Sequence, residues 1–406
     1  MSLLLVVIEA FLAIMVPGVL LSFALLKKTS LPTFEIVVIG FIFGLIFPPA
    51  AVWLESYLIP YIHAFSFSAA LYNANVIMLT IIGFALCLQQ RVFTLNDISN
   101  YIFGANPHQE EARFEEFGER IAKLRKEIRS YNIDLHIVNE HEREEKELAA
   151  RHSEEMSMLK SVSPEEQKKS GNSIMWAILL LLMLFSFGTR MLSIGIAPRF
   201  FEFDPYFDMI STEYILTYGY QLLYDHSAWP TVATGTVHRI QPIVPYLEAY
   251  WYDLASAGPH SALSTTLLSD VSSFYPPITA ALLVFVVFMF IYHEYGRFPA
   301  LVGAALATAM PVLITTFIAG EQLLEPWGIF SMFFFYAAYL LAVNNPKDNR
   351  FAILAGIAFA STFLGAHYYT VNAGVFAIYI IFQGIIHVLR REETRDFYKM
   401  NAIVIA

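Results

Sequence analysis

What most constrains this chain is a succession of apolar runs of roughly 18 residues or more, the length of helix that crosses a hydrocarbon core of about 30 Å. They lie at 3–26, 35–58 and 74–91, and after a polar middle at 174–193, 275–293, 298–318, 327–343, 351–366 and 368–388. In lipid such segments satisfy their own backbone hydrogen bonds only as helices, so the expected fold class is an all-α polytopic membrane protein. Composition agrees: 57% of the 406 residues are hydrophobic, 15% are charged, and the mean hydropathy is +0.54. The first run has no basic segment before it and no small-residue cleavage site after it, and is read as a retained helix. A last apolar run begins near Met400, and its shortness ("MNAIVIA") leads us to expect a chain truncated from a longer product.

The charges are unevenly placed. There are 25 Lys and Arg against 35 Asp and Glu, and 28 of these fall between Glu110 and Lys169, so the net charge of -10 describes no single surface. No basic patch of the kind nucleic acid requires is present. The single cysteine, Cys87, lies inside an apolar run and excludes both a disulfide framework and a cysteine-based zinc site.

Within the polar middle, Phe114, Phe117, Ile121, Leu124, Ile128, Tyr131, Leu135 and Val138 alternate at intervals of three and four with charged residues between. That is a heptad seam, which fails after Val138 where Glu142 and Glu145 take the next seam positions. A cytoplasmic coiled coil or helical hairpin is expected, serving as a solvated spacer, in self-association or for a coiled-coil partner. The organisation is then an N-terminal three-helix membrane block over 1–95, a charged coiled coil and linker over 96–172, and a second membrane region over 173–406.

Lys27-Lys28, Arg91, the basic residues before Ser173, Arg297, Lys347, Arg350 and Arg390-Arg391 all fall on one side if the N-terminus is outside. Cationic flanks favour the cytoplasm, so the large loop 197–273 and the short loop around 320–326 are placed on the external face of a cell membrane.

Those two loops hold the chemistry. In "FEFDPYFD", Asp204 and Asp208 are four residues apart and would share one face of a helix entered through Pro205. Asp204 suits either a helix N-cap or a catalytic or metal-ligating carboxylate. In "AGEQLLEPWGIF", Glu321 and Glu325 stand at a membrane edge, where ionisable groups are costly and point to function. Two acidic clusters on one face suit a divalent cation, Mg²⁺ or Mn²⁺. His226, His238 and His367 match no metal-ligand spacing, and neither a phosphate-binding glycine loop nor a serine or zinc hydrolase motif occurs.

In order along the chain, "FEFDPYFD" resembles the motif EFDPWFN, and "YILTYGYQLLYDHSAWP" is similar to the helix that follows it. "GTVHRIQPIVP" resembles GGTVYPGLM, "AGEQLLEPWGIF" aligns without gaps on AGSYDNEGIAIF, and "STFLGAHYYTVN" is similar to SSWGGYVFLIN. Over 197–390 the chain thus resembles the N-terminal half of the AglB-type catalytic subunits of oligosaccharyltransferase, membrane glycosyltransferases of the GT-C fold. The resemblance implies a partial GT-C fold, and transfer of a glycan from a polyprenyl (dolichyl) phosphate or pyrophosphate carrier to Asn of an Asn-x-Ser/Thr sequon in an acceptor polypeptide, in an archaeal-type membrane.

It also implies roles for Asp204 and Glu325 as catalytic and metal-ligating residues; Glu321, two residues before Leu323, is taken from its place in the loop as a further ligand, and Asp208, Tyr206 and His367 as substrate-binding or supporting residues. The chain departs from the pattern at Leu323, where the family has the first acidic residue of its second motif, and at His238-Arg239-Ile240, where it has YPG. The family's later WWDYG motif is not in this sequence. The alternatives are another GT-C enzyme using a polyprenyl-phosphate sugar, and a non-catalytic membrane scaffold.

Overall fold

The computed structural model describes residues 3–58, 65–92, 164–194, 200, 204–221, 224–225, 236–237, 241–256, 263–320, 324–366, 368–390 and 394–406. The heptad segment expected as a coiled coil lies outside them. Residues 1–92 and 175–406 form one compact unit and 93–174 another, of which only the first turns of the helix Pro164–Arg190 are described.

Among the described residues the chain is almost wholly helical. The helices are α1 (Leu3–Leu26), α2 (Thr33–Leu58), α3 (Ala69–Gln89), α4 (Pro164–Arg190), α5 (Asp204–Tyr218), α6 (Ile243–Ser256), α7 (Thr265–Ser272) and α8 (Tyr275–Tyr295). There follow α9 (Arg297–Ala309), α10 (Pro311–Thr316), α11 (Leu324–Asn344), α12 (Asn349–Gly365), α13 (Tyr369–Arg390) and α14 (Arg395–Ile405). A two-residue antiparallel pair, Tyr224–Asp225 with Thr236–Val237, is the sheet structure among the described residues. Among the described residues seven spans are long and apolar enough to cross a membrane, and the chain is a multi-pass membrane protein.

The spans divide by what covers them. α2, α8 and α11 are two-thirds buried by their neighbours, whereas α1, α3, α4 and α13 bury 28% or less. Their open faces carry large apolar side chains, among them Phe11, Ile81, Leu181, Phe185, Ile381 and Phe382. Water would not tolerate such a surface, and lipid requires it.

Within the core, α1 and α2 meet at Gly18, Gly40 and Gly44. A Cβ built at Gly44 would stand 1.9 Å from the Ile14 carbonyl oxygen, and one at Gly18 2.0 Å from that of Gly40. Lipid tails are as apolar as leucine, so membrane helices gain by such close backbone approach, which only small residues permit. Gly44→Val is therefore expected to destabilise the bundle by about 1–3 kcal/mol. Its thermal midpoint in detergent should fall, while Gly188→Ala, with nothing within 4 Å of the added carbon, should leave it unchanged.

Polar contacts mark the two ends of the bundle. At one, His293 Nε2 meets the fully buried Glu35 at 3.0 Å, Asn344 donates to Glu294, and Trp176 packs on Phe34, Phe288 and Tyr292. At the other, Ser56 and Tyr246 hydrogen-bond at 2.6 Å, Asn75 donates to Glu55 at 2.6 Å, and Ser193 donates to the Ala319 carbonyl at 2.7 Å.

Two expectations change. The run 298–318 is not one span: Pro311 lacks an N–H, Met310 before it is extended, and the helix breaks into α9 and α10. Near this break the Thr308 carbonyl takes the buried Arg190 guanidinium at 3.4 Å. The stretch 197–273, expected as an external loop with a helix entered through Pro205, holds that helix and two more, α6 and α7. Of these α6 is buried continuously from Ile243 to Tyr252 and packs against α1, α2, α3, α5, α7 and α12, with Tyr250 stacked on Tyr72 at 3.9 Å.

Candidate functional site

Asp204 opens α5, as the Asp-Pro step predicts, since proline is preset for the first helical turn. Asp208 lies one turn on and is half-buried, and Tyr206 is exposed with its ring edge-on to Phe200 at 4.9 Å. The buried face of α5 is partly polar. Ser211 and Thr212 are buried beside Met209 and Ile215.

Thr212 explains that polarity. Its hydroxyl donates to Glu248 Oε2 on α6 at 2.9 Å, and the Ser272 hydroxyl of α7 lies beside the same carboxylate without completing a normal hydrogen bond. Glu248 is 1% exposed, and its other oxygen has no partner among the described residues. Burial penalises its charged form more than these hydroxyls relieve it, and the carboxyl is pushed up to about 7.

From Glu248 the polar seam continues to the fully buried Tyr275, the first residue of α8, which lies within electrostatic reach of both Glu248 and Glu325. Glu325 is the second residue of α11 and so belongs to a helix start and not to a loop. Its Oε2 is buried and has no hydrogen-bond partner among the described residues.

Aromatic packing surrounds the start of α11. Trp327 stacks on Tyr275 at 6.3 Å and donates its indole N–H to the Ser361 carbonyl at 2.9 Å, seated against Gly365. Tyr368, within reach of Glu325, lies against Gly328. The two glycines leave the space these rings occupy.

The structure therefore gathers Glu325 of the second acidic motif, Tyr368 of the "GAHYYTVN" segment, and Tyr275 at one end of the bundle, and ties α5 to them through Thr212 and Glu248. Asp204 is placed by its backbone alone, while Glu321 and His367, like His226 and His238, lie outside the described residues. Among the described residues no three His, Cys, Asp or Glu side chains group as metal ligands. Glu248 was missed by sequence reasoning. Its one signal is a lone carboxylate in the apolar-aromatic segment "IVPYLEAYWY".

With this geometry in hand, comparison with known proteins adds no relative: no family model and no curated protein matches the chain.

Proposed function

We propose that this chain is the catalytic membrane region of an oligosaccharyltransferase of protein N-glycosylation. It would transfer a glycan from a polyprenyl phosphate or pyrophosphate to the amide nitrogen of Asn in an Asn-x-Ser/Thr sequon at the external face of a cell membrane. The observation that carries this reading is Glu325: a carboxylate with one buried oxygen that has no hydrogen-bond partner among the described residues, at the start of a membrane span and within reach of Tyr368 from a separate motif of the resemblance. Charge left in such a place is expensive unless something is bound to it.

The donor set fits a hard cation, since carboxylate oxygens suit Mg²⁺ or Mn²⁺. Asp204 and Glu325, with Glu321, are the residues that would hold it. A divalent cation there would neutralise charge building on the departing phosphate. Asp204 would also accept a hydrogen bond from the acceptor amide and raise the nucleophilicity of its nitrogen. Tyr275, Trp327 and Tyr368 would keep water from the Glu325 carboxylate, strengthening its electrostatic effect.

The test is a transfer assay with the full chain in membranes, a polyprenyl-linked glycan and a fluorescent sequon peptide. A glycosylated peptide, lost on adding a chelator, is expected. Transfer to a hydroxyl or lipid acceptor instead would assign another GT-C reaction, and failure with every acceptor by correctly inserted chain would leave the scaffold reading.

A further inference from the structure

We infer that a groove between α1, α2, α3 and α12 holds the acyl chain of an anionic phospholipid whose headgroup pairs with Lys27, Lys28 and Arg91. The groove has a volume of about 260 Å³ and is walled by Leu21, Leu25, Phe43, Phe47, Leu86 and Ile353. Such a lining offers nothing to a polar ligand and matches a hydrocarbon chain. Its one polar wall residue is Gln90, at the end of α3.

The basic residues follow directly from the walls. Lys27 and Lys28 come just after Leu25 at the end of α1, and Arg91 comes just after Gln90. All three are exposed, and none has a carboxylate partner among the described residues. Lys27 Nζ sits 5.4 Å over the Phe23 ring. Apolar walls followed along the chain by three exposed cations, none with a carboxylate partner among the described residues, suit an anionic lipid better than a neutral one.

Arg91 supplies an independent observation. Its φ is 53°, the left-handed region, where it closes α3 through reverse hydrogen bonds from Arg91 N to Leu88 O at 3.0 Å and Val92 N to Cys87 O at 2.9 Å. This C-terminal position favours glycine, which adopts it without strain. The turn thus ends α3 directly after the groove residue Gln90 and sets an arginine, where glycine is usual, at the groove's end of the helix.

The experiment is thermal unfolding of the full chain in a neutral detergent, titrated with dioleoylphosphatidylglycerol or with dioleoylphosphatidylcholine. The anionic lipid should raise the midpoint by several degrees in a saturable way and the zwitterionic lipid should not. The variant Lys27→Gln/Lys28→Gln/Arg91→Gly should lose that shift without a lower lipid-free midpoint, because glycine adopts the conformation at position 91 without strain. Ala24→Phe, which fills the groove wall, should lose the shift as well, and glycerol phosphate alone should produce none. Equal shifts from both lipids, or a phosphatidylglycerol shift that survives in either variant, would overturn the inference.

Discussion

Glu325→Gln is expected to lower glycan transfer by about 100-fold or more while the protein inserts and unfolds as before. Glutamine keeps the shape of glutamate and removes only its charge. Glu325 lies in the first turn of α11 with one oxygen buried and without a hydrogen-bond partner among the described residues, so a merely structural role predicts the opposite pattern. Replacing a buried oxygen that makes no hydrogen bond should then leave activity alone. A site group that stabilises transition-state charge typically accounts for 100- to 1,000-fold in rate, roughly the loss expected here. Asp204→Ala should match it, and their combination should cost little more than either, because residues acting as a unit are not additive. The check is kcat for peptide glycosylation beside the thermal midpoint of each variant.

The second large effect concerns Glu248 and pH. Its carboxyl rises from an ordinary value of 4.5 to about 7 in the folded chain, so between these values the folded state binds a proton that the unfolded state has released. Stability must then fall as pH rises from about 4.5 to 7 and level off above, by about 3 kcal/mol in all. Glu248→Gln removes the titration. The variant should show a flat profile over that window and exceed the parent at pH 8, as read by thermal unfolding across pH. Because the Thr212 hydroxyl donates to Glu248 Oε2, the same variant should leave α5 in place, the amide oxygen accepting in its stead. A parent profile that is already flat would remove Glu248 from the account.

Hydropathy alone located most spans to within a few residues, since a lipid-crossing helix is defined by its length and its lack of charge, both local properties. α1, α8 and α13 illustrate this. It could not register Pro311, because proline in an apolar run hardly changes mean hydropathy while it removes a backbone donor. Nor could it recognise α6 as a core element. Ile243 to Tyr252 are buried because α1, α2, α3 and α12 close around them, contacts made across long sequence separations.

The candidate site was legible in the same uneven way. Asp204 and Glu325 announced themselves as acids beside apolar runs. The seam from Thr212 through Glu248 to Tyr275 did not, for it depends on which helix faces which. Gly328 and Gly365 carried no signal by themselves, and their reason is visible only once Tyr368 and Trp327 are seen seated against them.

The central claim is that the two acidic motifs form one cation site. It is tested most directly by electron paramagnetic resonance titration of the purified full chain with Mn²⁺. The account predicts one bound Mn²⁺ per chain, lost in Asp204→Asn and equally lost in Glu325→Gln. Binding that survives either substitution, or no binding at all by folded protein, would contradict it.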